Sequence, residues 1–172
     1  MMYRTRTDFS APWCRQLRWL TAISTALLLG MPMVMLARAP DPMPTSYLIG
    51  IWLPPAIFAL SVLFAIRGYR LEGHTLKILR IGWSTSIPLN GVQAVHADER
   101  AMAQSSRVFG NGGLFGYIGL FRNARLGRYR AFATDPDNAA VLEYAERKIV
   151  VTPDNPQRFV QTVQSAIDLP GH

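Results

Sequence analysis

Two long stretches without a single charged residue constrain this chain more than anything else in it. Residues 19–37 lie between Arg18 and Arg38, and residues 42–66 lie between Asp41 and Arg67, giving runs of 19 and 25 uncharged positions. A helix rises about 1.5 Å per residue, so about 20 apolar residues cross a hydrocarbon core of roughly 30 Å. The apolar segments 19–37 and 47–66 both reach that length. Lipid offers no partner to a free amide or carbonyl, so segments of this kind cross as helices. Pro40, Pro42 and Pro44 alternate through the connector 38–46 and stop a helix there, which predicts a hairpin of two spans.

The basic residues orient that hairpin. The net charge is +7; Arg4, Arg6, Arg15 and Arg18 precede the first span, Arg67, Arg70, Lys77 and Arg80 follow the second, and the connector holds only Arg38. The bias of positive charge toward the cytoplasm places both ends inside and the connector outside. The predicted organisation is a basic cytosolic N-terminus (1–18), a transmembrane hairpin (19–66) and a cytosolic domain (67–172). Trp19 and Tyr47 stand at span ends, where amphipathic rings favour the interface, and Trp52 lies a little deeper. A rival reading takes the first span as a secretory signal, because Ala37, Arg38 and Ala39 fit a small-x-small cleavage pattern. Against it stand the long leading region, an apolar core exceeding the usual 7 to 15 residues or so, and a cut directly before Pro40. Pro32, Pro54 and Pro55 fall inside the spans and read either as kinks in an anchor or as breaks lining a site. No ionisable residue accompanies them, which favours the anchor. Cys14 is the single cysteine, a free thiol without an internal partner.

From residue 69 onward the texture changes to short alternating runs cut by turn residues. Strands are predicted over 69–71, 75–81, 86–89, 92–97, 128–134, 140–144 and 148–152, with 69–71 and 75–81 joined as a hairpin through Gly73. Asp135, Pro136, Asp137 and Asn138 form a dense turn signal, and 140–144 is expected to answer 128–134 across it. Asn155 is placed to cap a helix with Pro156 in its first position; Phe159, Val163, Ala166 and Ile167 then recur at helical spacing. That helix is expected to plug one open end of the sheets, anchored by Phe159.

The block Gly110-Asn111-Gly112-Gly113-Leu114-Phe115-Gly116-Tyr117 is followed by Gly127-Arg128-Tyr129, Ala133-Thr134, Lys148-Ile149-Val150-Val151-Thr152-Pro153 and Asn155-Pro156-Gln157-Arg158-Phe159. Together these resemble the bacterial pleckstrin-homology-like domains found in small membrane proteins, over residues 68–167. The resemblance implies an α+β fold: after the helical hairpin, a small β-barrel or sandwich of about seven strands, made of two nearly orthogonal sheets and capped by the C-terminal helix. It also implies a bacterial inner-membrane setting and a role in binding or assembly without catalysis.

Residues 111–121 carry no charge and include Leu114, Phe115, Tyr117, Ile118, Leu120 and Phe121. Three readings are open: packing within the domain, insertion into the headgroup region beside the anchor, or cover by a partner. Arg122, Arg125, Arg128 and Arg130 follow at once and would attract anionic headgroups at about 1 kcal/mol each. Phe115, Tyr117, Arg122, Arg125, Arg128 and Arg130 are therefore the candidate lipid or partner surface. Eukaryotic relatives of this fold that bind phosphoinositides place a basic motif in the first hairpin, where this chain offers Lys77 and Arg80 beside Glu72. The glycine block misses the spacing of dinucleotide and phosphate loops, and the arginines match no nucleic-acid reading motif. His74, His96 and His172 fall in no ligand spacing, the pair His96 and Asp98 lacks a nearby nucleophile, and no G-x-S-x-G occurs. No catalytic residue, metal or cofactor is expected. The leading function is a noncatalytic membrane-anchored adaptor or assembly module that binds a protein partner or a second copy; the alternatives are an accessory subunit of a transporter or membrane enzyme, and a sensor of anionic lipid.

Overall fold

The structure is a computed structural model that describes residues 6–168; Arg4 and His172 lie outside the described residues. It opens with a strand the sequence reading did not anticipate, β1 (Arg6–Ser10), which precedes the helices α1 (Arg15–Ala37) and α2 (Thr45–Leu63). β1 pairs antiparallel with the first strand after the helices, β2 (Gly68–Glu72), in the register Arg6↔Glu72 to Ser10↔Gly68. The segment read as a basic leader thus forms part of the sheet. Within β1 only Phe9 is apolar, and its ring is buried edge-on against Phe159 at 5.3 Å between centroids.

β3 (Thr75–Leu79) and β4 (Ser84–Pro88) complete a four-stranded antiparallel sheet in the order β1-β2-β3-β4. The second sheet contains β5 (Val92–Ala97), β6 (Ser106–Gly112), β7 (Tyr117–Asn123), β8 (Gly127–Ala133), β9 (Ala140–Tyr144) and β10 (Lys148–Val151), ordered β5-β9-β10-β8-β7-β6. Among the described residues there are ten strands where about seven were expected, and the two sheets form a sandwich, not a closed barrel. The additions are β1, β6 and β7. Glycine-rich runs have low strand propensity and disguise β6 and β7 as loop. A second correction concerns the turn at 135–138: β8 and β9 do not pair across it. β10 lies between them, antiparallel to β9 and parallel to β8.

The main core lies between the sheets and the closing helix α3 (Pro156–Asp168), with Tyr69, Leu76, Ile78, Phe132, Leu142, Val151 and Phe159 all buried. The Asn155 side chain accepts the Arg158 amide at 2.9 Å, which caps α3 as expected, and the helix packs its Phe159 and Val163 face on β5 and β9. A smaller cluster on the other side of the second sheet buries Phe121, Tyr129, Val141 and Val150 under Ala101 and Met102.

α1 and α2 are each long and apolar enough to cross a membrane, and they pack against one another. Both run unbroken through Pro32, Pro54 and Pro55. Near the connector the Tyr47 hydroxyl donates to the Met35 carbonyl at 3.1 Å. α2 ends three residues before the expected Ile66, because Ala65 and Ile66 leave the helix and are buried in the body of the domain. Cys14 caps α1, its sulfur accepting the Leu17 amide at 3.3 Å.

Candidate functional site

The charge-free run 111–121 becomes most of the β6–β7 hairpin, and its tip is set by local hydrogen bonds. Asn111 accepts the Leu114 amide at 3.1 Å and donates back to the Leu114 carbonyl, while the Gly113 amide reaches the Gly116 carbonyl at 3.1 Å. This closed turn holds Phe115 at a φ of +59°. Behind the tip, Gly110 and Gly119 face each other across the strands, and a Cβ on either would collide with the partner strand's backbone.

That tip is wedged against the feet of both helices. The Phe115 ring meets Trp13 at 5.9 Å and Phe58 at 5.7 Å between centroids. The Phe115 amide donates to the Thr21 hydroxyl at 3.2 Å, and that hydroxyl in turn reaches the Gly113 carbonyl at 3.5 Å. Phe115 is half-buried by these contacts, which join the tip to the helices and not to the core of the domain.

Between the hairpin and the last two turns of α2 runs a groove of about 790 Å³. Ile57, Leu60 and Phe64 form one wall; Phe109, Ile118 and Leu120 form the other. Arg107 and Arg130 are its cationic groups. The pairings Ile118↔Phe132, Leu120↔Arg130 and Arg122↔Arg128 put these side chains on one face of the sheet. Toward the closed end that face is core, through Phe132, Ile149 and Val151; toward the open end it turns cationic. Arg130 lies over the Phe132 ring at 5.2 Å, and Arg80 approaches the same ring at 5.8 Å while covering Trp83 at 4.4 Å. Arg80 is itself buried: its Nη1 donates to the Phe64 carbonyl at 3.4 Å and its Nε has no partner. Burial first, and the charge of Arg130 second, lower the Arg80 pKa. A smaller cavity of about 340 Å³ adjoins Arg128, Arg130, Arg147 and Lys148, with Glu146 at its edge.

Among the described residues, Arg80, Arg107, Arg122, Arg128 and Arg130 form no ion pair. Arg122 and Arg128 even stand directly opposite one another, an arrangement that like charges disfavour. The first hairpin is the reverse case. Lys77 is held by Glu72 at 2.6 Å and Arg70 by Asp8 at 2.6 Å, so these two cations already have counter-charges, and Arg80, just beyond β3, is the exception.

The six candidate residues therefore separate. Phe115 joins the domain to the helices. Tyr117 is half-buried beside Cys14; burial, and secondarily the Cys14 thiol, push its pKa up to about 12. Arg130 lines the groove, and Arg128 the adjoining cavity. Arg122 is exposed near them on the same face. Arg125 sits apart: it pairs with Asp98 at 2.9 Å in the turn beyond β7. At about 3.3 Å per residue, the length of β7 puts that turn roughly 20 Å from the tip. Asp98 is thus engaged by Arg125 and not by His96. The sequence reading missed Arg107 and Phe109, because the alternation Arg107-Val108-Phe109 lies outside the charge-free run that drew the eye. It counted Arg80 only as part of the first hairpin.

Comparison with known families matches residues 67–167 to the bacterial PH domain. No curated protein and no solved structure matches the chain. The match covers more than half of the 172 residues, takes in both sheets from β2 onward and ends within α3. The chain belongs to the bacterial PH domain family.

Proposed function

We propose that the protein is a noncatalytic module of a bacterial inner membrane, in which a two-helix anchor holds the PH sandwich against the cytosolic surface to receive a protein partner. The observation that carries this is the pairing of β1 with β2. One strand precedes the helices and the other follows them, yet they are hydrogen-bonded neighbours. The outer ends of α1 and α2 therefore lie on one side, and the pair crosses out and back. A cleaved signal would take with it a strand whose Phe9 is core, which speaks against that reading.

The surface of the helices supports the anchor. Met33 is 72% and Trp52 70% exposed, and Ile23, Leu27, Leu53 and Leu60 are exposed with them. Water covers such a surface at high cost, and lipid covers it at none. For the partner, the edge of the second sheet is free at β6, where Val108 and Phe109 are exposed and one side of the backbone is unpaired. Such an edge takes an added strand. A noncatalytic role fits a groove made mainly of apolar side chains and guanidinium groups, in which the Ser61 hydroxyl donates to the Ile57 carbonyl at 2.8 Å and the Asn111 side chain is engaged by the Leu114 backbone.

Cysteine accessibility in intact cells tests the placement. In a Cys14→Ser background, Ala39→Cys is expected to react with a membrane-impermeant maleimide from outside, and Ser106→Cys only after permeabilisation. The reverse pattern would overturn the proposal. A photocrosslinking residue at Val108 is expected to give a discrete protein adduct that the same residue at Thr162 does not.

A further inference from the structure

We infer that the groove between α2 and the β6–β7 hairpin binds one anionic phospholipid, with an acyl chain along its apolar walls and the phosphate held by Arg107 and Arg130. This deepens the membrane-surface reading above and rests on it. Three features specify the occupant. The apolar wall is the end of a membrane-length helix, Ile57 to Phe64, so lipid chains are the apolar matter nearest to it. Its volume of about 790 Å³ is large enough for a chain and part of a headgroup. Its cations have no counter-charge of their own: neither Arg107 nor Arg130 forms an ion pair among the described residues, and Arg80, beside Arg130 over Phe132, adds a third unpaired guanidinium. Two positive charges beside the membrane surface attract a phosphate, and a phosphodiester supplies the charge this site lacks.

A soluble acidic peptide would match the arginines but not the apolar wall. A plain acyl chain would match the wall but not the arginines. An anionic phospholipid matches both. The site also differs from the first hairpin, where Glu72 and Asp8 already neutralise Lys77 and Arg70.

The test uses the full chain in nanodiscs of phosphatidylcholine containing a minor fraction of phosphatidylglycerol with a photoactivatable acyl chain. Crosslinks are expected on Leu60, Ile118 or Phe109, and native mass spectrometry is expected to retain phosphatidylglycerol over phosphatidylcholine. Replacing Arg107→Gln and Arg130→Gln together is expected to cut retention roughly thirtyfold, from the loss of two headgroup contacts. Arg107→Lys with Arg130→Lys is expected to keep most of it, and Arg125→Gln all of it. Equal retention of the two lipids, unchanged retention in the glutamine pair, loss in the lysine pair, or complete displacement by glycerol phosphate would each overturn the inference. Carbonate extraction of cell membranes carrying the full chain reads the anchor separately. Protein released by carbonate would sink the anchor, whereas protein retained but without phosphatidylglycerol would sink the lipid site alone.

Discussion

The rings of Phe58 and Phe115 meet with their centroids 5.7 Å apart, so the tip of a sheet hairpin and the lower part of a helix share one contact. Phe115→Ala removes that contact and the one to Trp13. Burial of the ring is partial, so the expected loss is about 2 kcal/mol, below the range for a fully buried phenylalanine. Thermal unfolding in detergent reads it, and limited proteolysis should begin to cut at the tip. Phe115→Gly is expected to be no worse than alanine, because glycine relieves the left-handed backbone at this position.

Gly110 and Gly119 provide a sharper test of the hairpin. A methyl on either meets the backbone of the opposite strand, at the carbonyl of Ile118 or of Phe109. Gly110→Ala or Gly119→Ala is expected to destabilise the protein by more than about 2 kcal/mol, through strain that only strand separation relieves. Gly73 also has a positive φ but open space around it, and Gly73→Ala should lose only about 1 kcal/mol. Thermal unfolding of the three variants side by side decides this.

Tyr69 ties β2 to the second sheet from inside the core. Its hydroxyl donates to the Phe132 carbonyl at 2.6 Å and accepts the Thr152 amide at 3.1 Å. Tyr69→Phe keeps the ring and orphans both groups, so a loss of about 1–3 kcal/mol is expected in denaturant titration. A smaller value would mean that water reaches the pair.

The same residue predicts an alkaline limit. Burial raises the pKa of Tyr69 to about 12, and that of Tyr117 likewise to about 12. A folded-state pKa above the unfolded value of about 10 leaves stability intact below pH 10 or so, and stability then falls as pH rises toward 12. Tyrosinate absorbance is expected to show a late step that coincides with loss of structure. Tyr69→Phe should shrink that alkaline loss.

Removing residues 1–66 to obtain a soluble domain is expected to fail. The cut deletes Phe9 and Ala11 from the core and bares the edge of β2. Joining Ala11 to Ile66 through a short glycine-rich turn keeps β1 in place and should yield a soluble, folded sandwich, as judged by a cooperative thermal transition.

The sequence carried the helices, the α3 cap and most strands openly, because each of these rests on local pattern: uninterrupted apolar length, Asn155 before Pro156, alternation about Gly73. What it hid rests on pairing over distance. β10 enters between β8 and β9 on strand order alone, which no turn signal at Asp135 reveals. β1 is a strand because β2 returns beside it. The cationic groove was half legible. Arg128 and Arg130 stood in a visible cluster, but Arg107 joins Arg130 only through the fold of β6 onto β7 and β8, and Arg125, from the same cluster, is carried away by its turn to Asp98.

The union of β1 and β2 also orders events during synthesis. β1 emerges first and stays without its neighbour until both helices and Gly68 have been made, so the first sheet completes itself only after the whole hairpin has left the ribosome. A chain whose two helices fail to pack together keeps two naked strand edges on display, so the joining of β1 to β2 reports in a single pair of strands that the helices between them are in place.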